Sequence, residues 1–228
     1  MCKKIVIVGT GEFGRMTYEF LKHDSDYDVV GFAVENAYYR ENSIYSLPIV
    51  KFEEVETIFP PDQYQMFVAV TFVGMNKARQ RLYQIAKKKG YQLISYVNST
   101  SSVWHDVTIG ENVMVMECCS IQYGAKIGNN VIIWPNTSIG HHCVVENNCW
   151  IASGCAMGGF SCLKENSFMG MNSCVKAGTQ IARFTLIGAG VYINKNTNEY
   201  SLYSNAGCKD KLAGQADRER VLDILLNQ

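Results

Sequence analysis

Two adjacent histidines, His141 and His142, are the strongest candidates for acid–base chemistry in this sequence. They follow the segment that starts at Asn136, and the whole chain contains only four histidines. A neutral imidazole takes up a proton near neutral pH, which suits a general base. The alternative is a polar surface histidine with no chemical role. Cys143 follows directly, and a cysteine is a conceivable nucleophile.

A second candidate site is the motif Gly9-Thr-Gly11-Glu-Phe-Gly14, between an apolar run and a helical pattern. A glycine-rich turn in this position lets a phosphate approach the amides at the start of the helix. Glu35 lies 21 residues after Gly14, where an acidic side chain meets a ribose hydroxyl. The alternative is a tight turn with nothing bound. The predicted binding residues for a nucleotide-linked sugar are Gly9, Gly11, Gly14 and Glu35.

The element that carries the histidines repeats every six residues. Every sixth residue from Val97 to Ile193 is aliphatic, and small or β-branched residues lie four places later. This period is typical of a parallel β-helix. If three hexapeptides form one triangular coil, residues eighteen apart stack. Buried, reduced thiols are expected at the cysteines of the small-residue column, which argues against a nucleophilic Cys143: Cys119, Cys143, Cys149 and Cys155.

The position before each aliphatic residue points outward and forms an apolar stripe on one face of the predicted β-helix. An exposed stripe of this length is typical of an interface, and a triangular prism suits a closed homotrimer. The alternative is that the α/β domain or the carboxy-terminal tail covers the stripe. Its residues are Met114, Ile132, Trp150, Phe168 and Leu186.

The residues before the repeat alternate between strand and helix patterns, which predicts a small parallel α/β domain. Strands are predicted at Ile5–Val8, Val29–Ala33, Gln65–Val70 and Gln92–Tyr96, and helices at Arg15–His23, Phe52–Phe59 and Asn76–Lys89. After Asn196 the repeat ends, and Ala216–Leu226 has the pattern of a capping helix. The predicted domains are residues 1–95, residues 96–196 and a tail of residues 197–228.

Composition disfavours two classes of partner. The 21 basic and 21 acidic residues give a formal charge of zero. They form no block of like charge, so neither a nucleic acid nor a membrane is expected to bind. The first apolar run is too short for a signal peptide, and no run approaches the ~20 apolar residues of a membrane span. We therefore expect a cytoplasmic protein.

The chain resembles the bacterial NeuD/PglD-type sugar acyltransferases over about residues 3–200. The resemblance implies a Rossmann-like domain followed by a left-handed parallel β-helix, assembled as a homotrimer. It implies N-acetylation of a nucleotide-linked amino sugar by acetyl-CoA, in surface-glycan (O-antigen) biosynthesis and without a metal. The matching segments begin at Lys4 (KIVIVGTG), Val30 (VGF), Leu47 (LPIV), Val68 (VAV), Asn76 (NKAR), Ser95 (SYVN) and Gly140 (GHHC).

The resemblance also implies roles for single residues. His141 matches the family's general base, and Asn136 matches an asparagine near it. His142 stands where the family usually has an acidic partner for the base, and we expect it to project in a different direction from His141. Trp150 replaces a second histidine of some members. The predicted coenzyme-binding residues, in a groove between two prisms, are Trp150, Gly159, Gly170 and Gly188.

Three other functions are conceivable. A sialic-acid-type O-acetyltransferase would use a similar base. A non-catalytic trimeric module would bind a nucleotide but no coenzyme A. A metalloenzyme similar to the γ-type carbonic anhydrases needs three converging histidines. His105 and His141 lie two predicted coils apart, roughly 10 Å at ~4.8 Å per coil, so they are too distant to share a metal within one subunit.

Overall fold

The computed structural model describes residues 3–204 and the backbone of residues 211 and 212. The described residues form two compact units. The first unit contains the chain up to Thr71 together with Arg79–Tyr96. The second contains Phe72–Ala78 and the chain from Val97 onward. The short segment 72–78 therefore belongs with the repeat region, although it precedes part of the first unit in sequence.

A five-stranded sheet in the order β3-β4-β2-β1-β5 forms the centre of the first unit. All neighbouring strands are parallel except β3 and β4, which form a hairpin. The sequence did not predict this hairpin, because its turn residues are Tyr45 and Ser46 at φ 52° and 62° instead of glycine or asparagine. The strands are β1 Lys3–Val8, β2 Tyr27–Val34, β3 Ser43–Ile44, β4 Leu47–Lys51 and β5 Gln65–Val68. The predicted strand at 92–96 contributes a single bridge, Leu93 to Met66.

Two α-helices follow the sheet strands, α1 (Glu12–His23) and α2 (Lys77–Lys88), with short 3-10 helices at Asn36–Tyr38 and Phe52–Thr57. Helix α1 begins three residues earlier than predicted and buries Phe13, Thr17 and Leu21, which lie on one helical face. Strands β1 and β2 run parallel, so their carboxyl ends lie side by side. The glycine motif and Glu35 follow these two ends.

The second unit is a three-sided parallel β-helix of very short strands. Its first face contains β6 (Tyr96–Val97), β9 (Met114–Val115), β12 (Ile132–Ile133), β15 (Trp150–Ile151), β18 (Phe168–Met169), β21 (Leu186–Ile187), β23 (Ser201–Tyr203) and β24 (Lys211–Leu212). The second face contains β7 (Ser102–Val103), β10 (Ser120–Ile121), β13 (Ser138–Ile139), β16 (Ala156–Met157), β19 (Cys174–Val175) and β22 (Tyr192–Ile193). The third face contains β8 (Thr108–Ile109), β11 (Lys126–Ile127), β14 (Val144–Val145), β17 (Cys162–Leu163) and β20 (Gln180–Ile181).

Strand partners in the β-helix lie eighteen residues apart. Ile121 pairs with Ile139, and Ile133 pairs with Ile151. The second residue of each strand points inward, and from Val115 to Ile193 these residues are buried in one continuous core. The predicted triangular coil of three hexapeptides is therefore confirmed. Burial of each large aliphatic side chain contributes about 1.5–3 kcal/mol, so the repeated column is the main source of stability.

The predicted corner cysteines are buried, and every cysteine in the described part of the chain is a free thiol. The Cys143 and Cys155 thiols each donate to a carbonyl of the next coil, at 3.1 Å from the oxygens of Gly158 and Gly170. Burial raises the pKa of Cys119 and Cys155, so both remain protonated. These contacts support a structural role for the corner cysteines.

The β-helix continues beyond the end of the sequence repeat. Strand β23 pairs with β21 through Leu202 and Tyr203, although the preceding segment has lost the hexapeptide spacing. The buried Tyr203 ring occupies the position of an aliphatic residue in the core. The β-helix therefore extends beyond residue 196, where the sequence predicts that it ends. The predicted capping helix at 216–226 lies outside the described residues.

Three residues of the apolar stripe are buried within the chain, and Phe168 and Leu186 are partly exposed. Met114 and Ile132 are inaccessible to solvent, and Trp150 is 3% exposed. The ring of Phe72, from the segment 72–78, packs against Trp150 and Phe168 at centroid distances of 5.2 and 4.8 Å. The prediction that the whole stripe is an open trimer face is therefore wrong at Met114, Ile132 and Trp150, which are buried in a single chain.

Within the described residues, none of the helices has the length and the apolar character that crossing a bilayer requires.

Candidate active site

The two histidines lie in the turn that joins the second face of the β-helix to the third, directly after β13. We call the stack of these turns the histidine corner. One coil earlier the corner carries Tyr123 and Gly124, and one coil later it carries Gly159 and Phe160, because residues eighteen apart stack. The side chains of both histidines are exposed.

Hydrogen bonds to the neighbouring coils hold the backbone of His141 in place. Its amide donates to Oε1 of Gln122 at 3.1 Å, and its carbonyl accepts from the amide of Phe160 at 2.9 Å. The imidazole lies over Gly159, where an added Cβ would be 2.6 Å from Nε2. The absent side chain of Gly159 therefore provides the space for the imidazole.

His142 lies beside His141 and in contact with it. The two Nδ1 atoms are 3.2 Å apart, within hydrogen-bond distance. The rings are nearly perpendicular, at 87°, with a centroid distance of 5.5 Å. We expected His142 to project in a different direction from His141; the two rings differ in orientation, but their Nδ1 atoms are in contact. The acidic partner expected beside the base is replaced by a second imidazole.

Two aromatic residues of the histidine corner were not predicted from the sequence. Phe160 is 59% exposed and stacks on His142, with ring centroids 4.8 Å apart and an interplanar angle of 11°. Tyr123 meets the other side of His142 edge-on at 5.1 Å. The signal was available, since Tyr123 lies eighteen residues before His141 and Phe160 eighteen residues after His142.

The other predicted site residues of the β-helix lie at a different corner. Asn136 is exposed at φ 59° in the turn between the first and second faces, at the opposite end of β13 from the histidines. Gly170 and Gly188 follow strands of the first face at this same corner. A Cβ on Gly170 would lie 2.6 Å from the amide nitrogen of Ala189, so its absence permits close stacking of the coils. Within one chain these residues and His141 are not brought together.

Trp150 is not available to a ligand. Its ring is buried between Trp134 and Phe72, at centroid distances of 5.7 and 5.2 Å. The prediction that Trp150 binds the coenzyme is therefore wrong. The physical reason is that Phe72 and Trp134 pack against this ring, so the tryptophan takes part in packing.

The three glycines of the amino-terminal motif have different roles. Gly9 has φ 122°, and a Cβ there would lie 2.5 Å from the carbonyl oxygen of Ala69. A Cβ on Gly14 would collide with the carbonyl of Gly9, so Gly14 permits close packing of α1 against the turn. At Gly11, at the start of α1, an added Cβ would meet nothing within 4 Å. Of the three, Gly11 alone leaves open space for a ligand.

Glu35 forms an ion pair that was not predicted from the sequence. Both carboxylate oxygens accept from Arg81 of α2, at 2.7 and 2.8 Å. These hydrogen bonds lower the pKa of Glu35, so the carboxylate remains ionised. Arg81 lies 46 residues away in sequence, and no local pattern indicates this pairing. A ribose hydroxyl would have to share the carboxylate with the guanidinium.

Among residues 3–204, histidine, cysteine and carboxylate side chains form no group of three or more that could hold a metal ion.

Two family models match consecutive parts of the chain. Residues 4–86 match the PglD N-terminal domain. Residues 109–201 match the GMPPB C-terminal domain. Together the two matches cover most of both units. The residues between the two matches, 87–108, include the first two strands of the β-helix, β6 and β7.

Several solved structures share this architecture. The acetyltransferase domain of PglB from Neisseria gonorrhoeae FA1090, in complex with acetyl coenzyme A, has a TM-score of 0.81 at 20% identity and covers 92% of this chain and 100% of its own. A variant of perosamine N-acetyltransferase from Caulobacter crescentus, bound to CoA and GDP-perosamine, has a TM-score of 0.76 at 23% identity, with 92% and 98% covered. WeeI from Acinetobacter baumannii AYE has a TM-score of 0.70 at 15% identity, with 91% and 99% covered. These similarities show that the fold is shared.

Proposed function

We propose that this chain is a NeuD/PglD-type sugar N-acetyltransferase that uses acetyl-CoA, because residues 4–86 match the PglD N-terminal domain. The acceptor is an amino group of a nucleotide-linked sugar, in the cytoplasmic steps of bacterial surface-glycan (O-antigen) synthesis. A Rossmann-like domain would hold the acceptor, and a left-handed β-helix would carry the catalytic site. The observation that carries the proposal is the exposed His141–His142 pair, with the His141 ring over Gly159.

The chemistry needs one base. The neutral amine attacks the thioester carbonyl, a C–N bond forms, and the C–S bond to coenzyme A breaks. Nε2 of His141 takes the proton that the amine loses and returns it to the departing thiolate. Backbone amides such as those near Gly158 would stabilise the oxyanion of the tetrahedral intermediate. The step balances without a metal or a covalent enzyme intermediate.

A homotrimer is part of the proposal, through the second face of the β-helix. The outward residues of this face are small or uncharged, including Ser120, Ser138 and Ala156, whereas the third face carries Lys126. Charge is depleted at the centre of protein interfaces, and small side chains permit close approach. The two corners that flank this face carry Asn136 and His141, so a neighbouring subunit would supply the residues that one chain leaves apart, in a groove for acetyl-CoA lined by Gly159, Gly170 and Gly188.

Ala156→Arg is expected to convert the trimer to monomers, because a long charged side chain would have to be buried in the contact. Sedimentation velocity measures the change. Gln180→Arg is the matched control, since Gln180 is an exposed outward residue of the third face. Trimers of normal stability in Ala156→Arg would show that another face makes the contact.

Gly11→Val is expected to raise the KM for the acceptor at least several-fold and to leave the KM for acetyl-CoA nearly unchanged. The substitution meets open space in the chain, so it obstructs a ligand without disturbing the fold. Steady-state kinetics with each substrate varied in turn measure the effect. A raised KM for acetyl-CoA with an unchanged acceptor KM would reverse the proposed roles of the two units.

The reaction itself is tested by incubating the protein with acetyl-CoA and a set of nucleotide-linked amino sugars, followed by mass spectrometry. A mass increase of one acetyl group that resists hydroxylamine indicates an amide. A hydroxylamine-sensitive product would indicate an O-acetyltransferase. Nucleotide binding without coenzyme A binding would indicate a non-catalytic trimeric module.

A further inference from the structure

The arrangement of the two imidazoles restricts their protonation. The Nδ1 atoms of His141 and His142 face each other at 3.2 Å, so one must donate and the other accept. Only one proton fits between them. The Nε2 atom of His141, on the opposite edge of its ring, lies beside Gly159. A base acting through this Nε2 must carry its own proton on Nδ1, which therefore has to be donated to His142.

The surroundings of His142 hold its ring in this position. Phe160 stacks on one side at an interplanar angle of 11°, and Tyr123 meets the ring edge-on. On the coil before, a Cβ on Gly124 would lie 2.9 Å from Cδ2 of His142. Gly124 thus makes room for His142 as Gly159 does for His141. A histidine that was only a polar surface residue would not need a stacked ring on one side and a glycine on the coil before.

We propose that His142 is the positioning residue of the base: its Nδ1 accepts the Nδ1–H of His141 and fixes the tautomer whose Nε2 receives the proton of the acceptor amine. The inference rests on the proposed function. In the reaction the amine proton moves to Nε2 of His141, and the resulting imidazolium keeps donating to His142. His142 contacts no substrate in this scheme, so it is not itself a catalytic residue.

Two variants separate these roles. His142→Phe keeps a ring on Phe160 but removes the acceptor, and it is expected to lower kcat about 10–100-fold with the KM for acetyl-CoA and the trimer unchanged. His142→Asn places Oδ1 near the position of Nδ1, so it should keep most of the activity.

The outcomes distinguish this inference from the proposed function. A wild-type kcat in His142→Phe, with activity lost in His141→Ala, would overturn the role of His142 alone. Full activity in both His142→Phe and His141→Ala would overturn the proposed base as well. A loss of kcat in His142→Asn as large as the loss in His142→Phe would contradict the role of Nδ1 as the hydrogen-bond acceptor.

A pair of glycine substitutions tests the same inference without changing His142. Gly124 and Gly178 occupy equivalent turns of the histidine corner, at φ 68° and 74°. Gly124→Ala would displace the His142 ring, whereas a Cβ on Gly178 meets nothing within 4 Å. The backbone strain is similar in both, so similar losses in melting temperature are expected, with kcat lowered only in Gly124→Ala. Equal kcat values in the two variants would contradict the inference.

Discussion

Replacing His141 with alanine is expected to lower kcat for acetyl transfer by about 10²–10⁴-fold, the usual contribution of a positioned general base. The reason is that, in the proposed reaction, Nε2 of His141 accepts the proton that the amine loses. Stopped assays of coenzyme A release measure the rate. Because the imidazole is exposed and packs only on its corner, the trimer and the affinity for acetyl-CoA should remain near their normal values.

The matched control is His105→Ala, two coils earlier at the same corner. His105 contacts Trp104, with ring centroids 5.5 Å apart, and has no part in the pair. Its replacement should leave kcat unchanged. If His141→Ala kept most of its activity, the result would show that the amine needs no base from this corner. Positioning of an already nucleophilic amine would then account for the rate.

Trp150→Ala is expected to lower the free energy of unfolding by about 3–5 kcal/mol, the range for a buried large aromatic residue. Trp150 is 3% exposed and packs against Phe72 and Trp134. Its removal leaves a cavity between the first face of the β-helix and the segment 72–78. Urea unfolding followed by circular dichroism, at one fixed protein concentration, measures the change.

Trp104→Ala is the control for this substitution, since Trp104 is 52% exposed. It should change the unfolding free energy by less than about 1 kcal/mol, because little buried contact is lost. A Trp150→Ala protein of normal stability that no longer forms trimers would restore the first face as the subunit contact. It would contradict the burial of Trp150 within its own chain.

The parallel β-helix was predictable because its signal is local and repeated. A strand of two residues, one inward and one outward, requires an aliphatic residue at every sixth position, and the sequence supplies it from Val97 to Ile193. The corner cysteines followed from the same period. Where the period is lost, prediction failed: Tyr203 fills the core at a position that the spacing does not mark.

The sequence by itself also determined which residues could act as a base, because histidines are rare in this chain and two of them are adjacent. It could not determine their environment. The contact between His141 and His142 depends on side-chain rotamers, and the support from Gly124 and Phe160 depends on coil stacking. Trp150 is buried by contact with Phe72, and Glu35 pairs with Arg81; in both cases the partners are distant in sequence. Only the tertiary structure decides such contacts, because hexapeptide spacing states which side chains point outward but not what covers them.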